Sequence, residues 1–483
     1  MKNVRISWKM ALPLVAILLS SVFTSCSDDE KKLSDLTGFL SFGFSDAALE
    51  NYEFTIGSDN VITNQIALPY GFDASALTPV FSAAPLSTVN IAGIDQVSGS
   101  VAMDFTSDIV FSVVAENGDN TLNYTVRVNV ATTLSAWTNL SPNAGFPLYT
   151  DITAFDLDGK YFVVGGLKGA SVYGDHEAGI YSSTDGSDFV EVTSAIFQDY
   201  GMAVGTAAVK HGDKQLLVGG MSYSDYFGGG TGDGSASNKV WSSTDGTTWE
   251  KVTTTENPYE GWGAAPEVNS FTARTNATVA NMNGDLYLTG GFSVAFGAPQ
   301  GAMADVWKST DGGATWTNLE ADFGVDFVAR AKSQLVVYND ELYLIGGRES
   351  NNSSVLNNEI YKSTDGVTWT KLAVETPFTA CSGHICYEYN DRFYLIGGNK
   401  TEVEVVAEEE VTKLVPMNDV WVSEDAGVNW TKVTEGALPE GFAARAGHAF
   451  VKDANTVHIF GGMGAEADGT AKVLTDSWKG TLN

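Results

Sequence analysis

Three of the seven arginines in this 483-residue chain recur at one aligned position of an internal repeat, just before the predicted innermost strand of a unit. These arginines are Arg274, Arg330 and Arg445. A guanidinium group presents paired donors that match the two oxygens of a carboxylate or a sulfate. Because the chain carries a formal net charge of −32, guanidiniums that converge on one channel would form a local cationic site. The sequence therefore predicts candidate anion-binding residues at this position.

Four further residues extend this candidate ligand site. Arg348 directly follows a Gly-Gly pair on the same predicted face, and Tyr149 fills the aligned position in the first repeat. Tyr259 and Trp262 lie in the segment 253–270, which differs in length and content from its counterparts in the other repeats. Variable loops on a rigid scaffold are the usual place for a binding surface. We therefore expect these side chains to contact a glycan or a protein ligand.

The chain lacks the common catalytic and metal-binding motifs. It contains no HExxH, no GxSxG and no His and Cys cluster at metal-ligand spacing. His384 and His448 align three residues after Cys381 and Arg445, and we expect them to pack along an inner strand. Cys381 and Cys386 are five residues apart in one predicted strand, which places them on opposite faces and argues against a disulfide. The sequence thus indicates no catalytic residue, no metal site and no cofactor, and it favours binding over catalysis.

The aligned arginines belong to a unit that recurs six times within residues 133–483. Each copy has an apolar stretch that ends in Gly-Gly, and the pairs lie at 165–166, 219–220, 290–291, 346–347, 397–398 and 461–462. This pattern resembles the kelch repeat, in which Gly-Gly ends the second strand of a propeller blade and allows close backbone approach. Kelch repeats often place an arginine before the innermost strand, bonded to neighbouring carbonyls, so a scaffold role for the three arginines stays open. The resemblance implies structural roles for Gly165, Gly166, Gly290, Gly291, Gly346 and Gly347.

Most copies continue, after a variable gap, with an aromatic residue, a Ser-x-Asp-Gly-type turn and a Trp. In the third copy this part reads VWKSTDGGATW at 306–316. The pattern resembles the Asp-box, in which the Ser and Asp side chains bond the turn backbone and the Trp packs between blades. We expect these recurring residues to be structural: Asp245, Asp311, Asp365, Trp249, Trp316 and Trp369.

The sixth copy stops before its Trp strand, and a matching strand lies at the start of the same domain. Residues 137–140 read Trp-Thr-Asn-Leu, identical to residues 316–319. We therefore predict that the strand containing Trp137 completes the last blade and leaves no free sheet edge. The fold class that follows is all-β, with a six-bladed kelch-like β-propeller over residues 133–483.

Residues 37–132 lack the repeat and are predicted to form a small β-sandwich that precedes the propeller. Alternating apolar runs at 109–118 and 121–130 flank the turn 117–120, which predicts a hairpin. The sequence YTVRV at 124–128 resembles the end of cadherin-like modules of bacterial surface proteins, so we expect an Ig-like sandwich. Its role stays open between a spacer and a second binding module.

The N-terminus resembles the targeting segment of bacterial lipoproteins. Basic residues precede an apolar run over 10–23, and the Phe-Thr-Ser-Cys sequence that ends at Cys26 resembles a lipobox. An acidic cluster at 27–30 resembles the surface-export signal of Bacteroidota lipoproteins. We expect a signal peptide over 1–25, a lipidated tether over 26–36 and anchoring in the outer membrane through acyl chains on Cys26.

We expect a cell-surface lipoprotein whose propeller binds a glycan or protein ligand without catalysis. The chain resembles Bacteroidota surface lipoproteins that join a small sandwich to a kelch-like propeller. Its acidity argues against nucleic acid, because phosphate neutralisation needs clustered Lys and Arg. Two alternatives stay open: a sugar-acid enzyme on the same propeller face, similar to a sialic acid mutarotase or a glycosidase, and an accessory subunit of an outer-membrane uptake system. The Arg-Ile-Pro motif of sialidases does not occur.

Overall fold

The computed structural model contains two compact units, one made of Met1–Ile66 with Asp73–Asn129 and one made of Ala67–Phe72 with Val130–Asn483. It describes residues 33–482 except 51, 69–71, 132–134, 147–148, 169–178, 193–203, 224–233, 253–269, 293–300, 350–353, 407–408, 434–436 and 467. Cys26 with the predicted signal peptide, Tyr259 and Trp262 lie outside the described residues. The helical element of the described part is a 3-10 turn at Ala47–Leu49. No helix in this part of the chain is long and apolar enough to cross a membrane.

The first unit contains two β-sheets within its described residues. Its strands are β1 (Phe39–Phe44), β2 (Phe54–Ile56), β3 (Val61–Asn64), β4 (Pro79–Ala83), β5 (Thr88–Ile91), β6 (Ile94–Asp95), β7 (Ile109–Val114) and β8 (Thr121–Arg127). One sheet pairs β1 with β4, and the other has the order β2-β3-β8-β7-β5-β6, with β3 and β8 parallel. Alternation along β7 turns Phe111 and Val113 inward, and the Phe111 ring centroid lies 5.4 Å from that of Phe42 in β1. The hairpin predicted from the sequence is the observed β7–β8 pair, and the Ig-like assignment stays a prediction.

The second unit is built from six four-stranded antiparallel sheets within the described residues. Its strands are β9 (Ser135–Ser141), β10 (Tyr149–Thr150), β11 (Thr153–Leu157), β12 (Lys160–Val164), β13 (Leu167–Lys168), β14 (Ile180–Ser183), β15 (Val190–Val192), β16 (Ala207–His211), β17 (Lys214–Val218), β18 (Met221–Tyr223), β19 (Gly234–Ala236), β20 (Val240–Ser243), β21 (Glu250–Lys251), β22 (Thr278–Met282), β23 (Asp285–Thr289), β24 (Val306–Ser309), β25 (Thr317–Asn318), β26 (Gln334–Tyr338), β27 (Glu341–Ile345), β28 (Ile360–Ser363), β29 (Thr370–Lys371), β30 (Ile385–Tyr389), β31 (Arg392–Ile396), β32 (Asn399–Val406), β33 (Glu409–Pro416), β34 (Val420–Ser423), β35 (Thr431–Lys432), β36 (Ala449–Asp453), β37 (Thr456–Ala465) and β38 (Ala471–Leu482).

These strands assemble into sheets in the order in which the repeats occur. Sheets 1 to 6 have the strand orders β11-β12-β14-β15, β16-β17-β20-β21, β22-β23-β24-β25, β26-β27-β28-β29, β30-β31-β34-β35 and β36-β37-β38-β9. Three two-stranded ribbons, β10-β13, β18-β19 and β32-β33, accompany them. The first strand of each sheet contacts the first strand of the next, and β36 of sheet 6 contacts β11 of sheet 1. The six sheets therefore surround a central channel as a closed ring.

The ring is closed by the strand that the sequence placed in the last sheet. Strand β9 pairs antiparallel with β38, and Trp137 lies opposite Gly480. The indole Nε1 of Trp137 donates to the carbonyl oxygen of Ala437 over 2.9 Å, and its ring centroid lies 5.9 Å from that of Phe442. The prediction that the first strand of the domain completes the last sheet is confirmed, and it leaves β38 paired on both sides.

The Gly-Gly pairs are required by close approach of neighbouring sheets. Gly290 has φ 66°, and a Cβ there would lie 2.6 Å from the carbonyl oxygen of Arg330 in the next repeat. At Gly346, with φ 63°, a Cβ would lie 2.7 Å from Cε1 of His384. Positive φ values also occur at Gly165, Gly166, Gly291 and Gly347. At Gly290, Gly291, Gly346 and Gly347 a side chain is excluded by both strain and contact, which supports the structural role expected for these four glycines.

Ser-x-Asp turns connect the last two strands of sheets 1 to 5. In sheet 3, Ser309 Oγ donates to Asp311 Oδ1 over 2.8 Å and accepts the backbone N–H of Gly313 over 2.9 Å. The Trp316 indole donates to the carbonyl oxygen of Gly313 over 3.0 Å and packs against Leu216 and other apolar side chains between sheets 2 and 3. The same bonds recur around Asp245, Asp365, Trp249 and Trp369. The recurring Ser, Asp and Trp residues of the repeat therefore stabilise the scaffold.

Candidate functional site

Arg274 is fully buried, and its guanidinium is held within its own sheet. Nη1 and Nη2 donate to Asp305 Oδ1 and Oδ2, each over 2.7 Å, and Nη1 also donates to the carbonyl oxygen of Gly290 over 3.0 Å. The Trp307 indole donates to the same carboxylate over 2.6 Å. Burial opposes ionisation of Asp305, but the bonds from Arg274 and Trp307 outweigh it and lower the pKa of this carboxyl. The guanidinium of Arg274 thus links the carboxylate of Asp305 to the Gly-Gly pair that ends the second strand of this sheet.

Arg445 repeats this unit in sheet 6. Its Nη1 and Nη2 donate to Asp476 Oδ1 and Oδ2, each over 2.8 Å, and Nη1 donates to the carbonyl oxygen of Gly461 over 3.1 Å. The Trp478 indole donates to Asp476 over 2.7 Å. The guanidinium carbon lies 4.1 Å from the ring centroid of Phe442, and Arg445 has no exposed surface. This geometry supports the scaffold alternative, because a guanidinium bound in this way is not presented to a ligand.

Arg330 has a related environment in sheet 4. Its Nη2 donates to Glu359 over 2.8 Å, and its guanidinium carbon lies 4.7 Å from the Phe327 ring centroid and 5.2 Å from that of Tyr361. Its Nη1 has no hydrogen-bond partner among the described residues. Arg330 also has no exposed surface. The three aligned arginines are fully buried and paired with carboxylates of their own sheets, which favours the scaffold alternative over direct ligand contact.

The aligned position is occupied by other residue types in the remaining repeats. Cys381 is buried, with Sγ 3.3 Å from His384 Nδ1, and Tyr149 pairs through its backbone with Lys168. In the second repeat, Val204 lies close to this position in the sequence. Val204 bridges Met221 as Thr275 bridges Phe292 and Ala331 bridges Arg348. Since Thr275 and Ala331 each follow the aligned arginine by one residue, the counterpart in the second repeat is residue 203, outside the described part.

Two residues after the aligned position, the six repeats meet in a closed ring of hydrogen bonds. Each member donates its backbone N–H to the carbonyl oxygen of the member before it, over 2.8 to 3.1 Å, and all six have φ between 54° and 65°. The members, which we call the mouth ring, are Asp151, Gly205, Asn276, Lys332, Gly383 and Gly447. Because every N–H donor finds its partner on the preceding repeat, the ring fixes the backbone at one end of the channel.

Three members of the mouth ring are not glycine. The left-handed conformation costs an L-residue roughly 1–2 kcal/mol, which glycine avoids. The other three repeats use glycine, so the scaffold itself does not need a side chain at Asp151, Asn276 or Lys332. Strain that persists at aligned positions is a reason to look for function there.

Lys332 and Asp151 form an ion pair across the channel. Their repeats belong to sheets 4 and 1, which lie three steps apart in either direction around the ring. Lys332 Nζ donates to Asp151 Oδ1 over 2.7 Å and to Oδ2 over 2.6 Å. The side chains are only 15% and 13% exposed. Burial lowers the pKa of Lys332, the carboxylate of Asp151 opposes this shift, and the charge of Arg348 adds to it.

Arg348 brings a second cation to this end of the channel. Its backbone pairs in both directions with Ala331, which directly precedes Lys332, and its guanidinium carbon lies 5.6 Å from the Phe292 ring centroid. It is 8% exposed. Burial lowers the pKa of Arg348, and the charge of Asp151 opposes that shift. Of the arginines that the sequence proposed as ligand contacts, Arg348 is the one that the structure places beside the mouth ring.

The mouth ring opens on a channel of about 500 Å³ between the inner strands. Its lining includes Ala154, Val279 and Phe450, each three residues after a member of the mouth ring. His384 and His448 also line it and are almost fully buried, and burial lowers the pKa of His384 to about 3, so this imidazole is neutral. Among the described residues, no three His, Cys, Asp or Glu side chains are grouped to hold a metal ion.

Sequence reasoning missed Asp151, Asn276 and Lys332. They share no residue type, and the repeat alignment shows only that glycine occupies the same position in three copies. The available signal was this alternation of glycine with polar residues, because glycine at an aligned position indicates a left-handed backbone and a polar residue there indicates tolerated strain.

Comparison with known proteins agrees with this architecture. Residues 276–479 match the KLHDC2/KLHL20/DRC7 kelch-repeats domain, and residues 24–128 match the N-terminal domain of the domain of unknown function DUF6242. No curated protein matches the chain. A solved structure of YjhT is 14% identical and covers 70% of this chain and 96% of its own, with a TM-score of 0.49, a likeness too weak to carry a functional argument. The kelch-repeat match and the ring of four-stranded sheets together identify the second unit as a kelch-like β-propeller.

Proposed function

We propose that this chain is a lipid-anchored cell-surface protein whose propeller binds a glycan or protein ligand at the mouth ring. The observation that carries the proposal is the presence of Asp151, Asn276 and Lys332 at left-handed positions where three other repeats have glycine. These side chains add charge and hydrogen-bonding groups to one end of the channel without a structural need for them. A concave site with a few convergent polar groups is typical of ligand binding.

A triple glycine variant tests this proposal without changing the backbone. Asp151→Gly, Asn276→Gly and Lys332→Gly together copy the residue that the chain itself uses at positions 205, 383 and 447, and they remove both partners of the ion pair at once. We expect the full mature chain to bind members of a glycan array and the triple variant to lose that binding while it stays folded.

The other end of the channel supplies a matched control. Lys210 and Asp156 form an exposed ion pair, with Nζ 3.9 Å from Oδ2, at the far ends of β16 and β11. The double variant Lys210→Ala/Asp156→Ala removes equal and opposite charges there and should keep the array pattern. Unchanged binding by the folded triple glycine variant would contradict the proposal.

One observation favours a second candidate, a sugar-acid enzyme at the same mouth. Burial lowers the pKa of Lys332 beside the carboxylate of Asp151, and such a pair is suited to proton transfer. The test is NMR exchange between the anomers of a sugar acid in the presence of the purified chain. Exchange that is faster than in buffer, and that is abolished in Asp151→Asn/Lys332→Gln, would support the enzyme.

The proposed location is the outer membrane, with acyl chains on Cys26 as the membrane partner. The support is the lipobox-like sequence that ends at Cys26. Labelling of cells with a fatty acid should mark the wild-type chain and not Cys26→Ser, and protease added to intact cells should cleave the wild-type chain. Co-purification with an outer-membrane protein would instead favour the accessory role in uptake.

A further inference from the structure

The ribbon formed by β32 and β33 begins beside the mouth ring. At its base Asn399 exchanges both backbone hydrogen bonds with Ser382, which directly precedes Gly383 of the ring. Thr401 Oγ1 donates to the carbonyl oxygen of Ser354 in the preceding repeat over 3.0 Å, and β33 contacts β37 of sheet 6. Because β32 has eight residues, the ribbon is about 26 Å long. It is therefore a long arm whose base is held by both neighbouring repeats.

Beyond this base the ribbon is uncovered on both faces. The described side chains of residues 401–405 and 409–413 are all exposed. Val403, Val405 and Val411 are 60%, 68% and 46% exposed. Within the described part of the chain, β32 and β33 pair only with each other along this length. Because exposed strand edges with apolar side chains are sites where other chains pair, the ribbon offers a surface to a further strand.

One face of the ribbon is largely neutralised by its own ion pairs. Residues directly opposite each other share a face, and successive residues alternate between the two faces, so Glu402 and Lys413 lie on the same side. Lys400 Nζ lies 2.9 Å from Glu402 Oε1. Lys413 Nζ lies 2.7 Å from Glu404 Oε2. We call this side the charged face.

The opposite side, which we call the neutral face, combines uncovered apolar side chains with one acid. Val403 lies opposite Thr412, and Val405 lies opposite Glu410. Leu414 continues this face toward the base and is half-buried. Within the described part, no cation forms an ion pair with Glu410. A partner that covers this face must bring apolar side chains to the valines and a positive charge to Glu410, because burial of an unpaired carboxylate is costly.

We propose that the neutral face of the ribbon binds an extended segment of another protein in which β-branched residues are flanked by lysine or arginine. In this mode of recognition the backbone of the segment pairs with a free strand edge, and alternate side chains give specificity. A second copy of this chain fits less well, because each copy carries a formal net charge of −32. The proposal concerns a surface other than the mouth ring and does not depend on glycan binding.

Two fluorescently labelled peptides test this surface, Lys-Thr-Val-Thr-Val-Thr-Lys and Glu-Thr-Val-Thr-Val-Thr-Glu, each titrated with the full mature chain by fluorescence anisotropy. We expect the lysine peptide to bind and the glutamate peptide to bind at least about tenfold more weakly. Val403→Thr/Val405→Thr keeps the β-branched shape but replaces methyl groups by hydroxyl groups, and it should weaken binding of the lysine peptide by at least about tenfold. Glu410→Lys should reverse the preference between the two peptides.

The charged face supplies matched controls. Glu404→Gln/Lys413→Gln removes equal and opposite charges there, and Val411→Thr alters a valine of that face. Neither change should alter the affinity for the lysine peptide. The proposal is overturned if the lysine peptide does not bind, if the double valine variant binds it as the wild type does, or if Glu410→Lys leaves the preference unchanged. A dimer in sedimentation that is lost in Val403→Thr/Val405→Thr would overturn it too, because a second copy would then cover this face.

Discussion

Lys332 Nζ and Asp151 Oδ2 lie 2.6 Å apart although 181 residues separate them in the chain. They come from repeats on opposite sides of the ring, so this contact exists only when all six sheets are closed. The candidate site depends on the architecture, because the backbones of both residues are held by hydrogen bonds of the mouth ring. Closure of the propeller therefore positions the charges.

The Gly-Gly pairs should tolerate no side chain. In Gly290→Ala the new Cβ would meet the carbonyl oxygen of Arg330 at 2.6 Å, and φ is 66°. We expect the free energy of unfolding to fall by about 3 kcal/mol or more, from about 1–2 kcal/mol of strain and about 1–3 kcal/mol of overpacking. Urea denaturation measures the loss. Gly284→Ala is the control, because φ is 92° but no atom lies within 4 Å of its Cβ, so strain alone should appear.

Arg274 should contribute to stability and not to ligand binding. Arg274→Met leaves Asp305 partly buried without its cation, and we expect a loss of about 3–5 kcal/mol in the free energy of unfolding. Arg274→Met/Asp305→Leu should recover much of that loss, since it removes the unpaired charge. A folded Arg274→Met chain with greatly weakened ligand affinity and normal stability would restore the ligand role that the sequence suggested.

Stability should fall in mild acid because of buried histidines. The pKa of His384 is lowered to about 3 by burial, whereas the unfolded chain protonates this residue near 6.5. The unfolded state therefore binds more protons below pH 6.5, and stability decreases as the pH falls toward the folded value. His384→Ser copies Ser333, its counterpart in the preceding repeat. Between pH 6 and pH 4 it should reduce the slope of unfolding free energy by about 1.4 kcal/mol per pH unit. Equal slopes in the two proteins would contradict this assignment.

Strand β9, which completes the last sheet, should contribute to the stability of the propeller. Trp137→Ala removes the indole that packs on Phe442 and donates to Ala437, and we expect a loss of about 3 kcal/mol. Trp137→Phe keeps the ring contact and should lose less. Thermal melting of both variants measures the difference. A melting temperature for Trp137→Ala equal to that of the wild type would mean that closure through β9 contributes little.

The sequence predicted the scaffold well because the scaffold is repeated. Gly-Gly pairs and Ser-x-Asp turns recur in register, and the match of residues 137–140 to 316–319 was enough to place β9 beside β38. The direction of the aligned arginines was not predictable in the same way. The carboxylates that hold Arg274 and Arg445, those of Asp305 and Asp476, lie 31 residues further along the chain, so their pairing depends on sheet geometry.

The candidate site was hidden for a different reason. The three polar members of the mouth ring, Asp151, Asn276 and Lys332, differ in type and charge. Their spacing in the sequence does not indicate that residues of opposite repeats meet across a channel. Their common property is a left-handed backbone, which the glycines of the other three repeats indicate and which the ring of hydrogen bonds shows directly. Residues that differ from the repeat pattern can be assigned to a site only when the three-dimensional arrangement of the repeats is known.

The most direct test of the account is the affinity of one array-selected glycan for the full mature chain and for Asp151→Gly/Asn276→Gly/Lys332→Gly, measured by calorimetry on samples with matched melting curves. We predict a loss of at least about 100-fold, equivalent to about 2.7 kcal/mol, in the triple glycine variant. Equal affinities in the two folded proteins would show that the mouth ring is not the binding site.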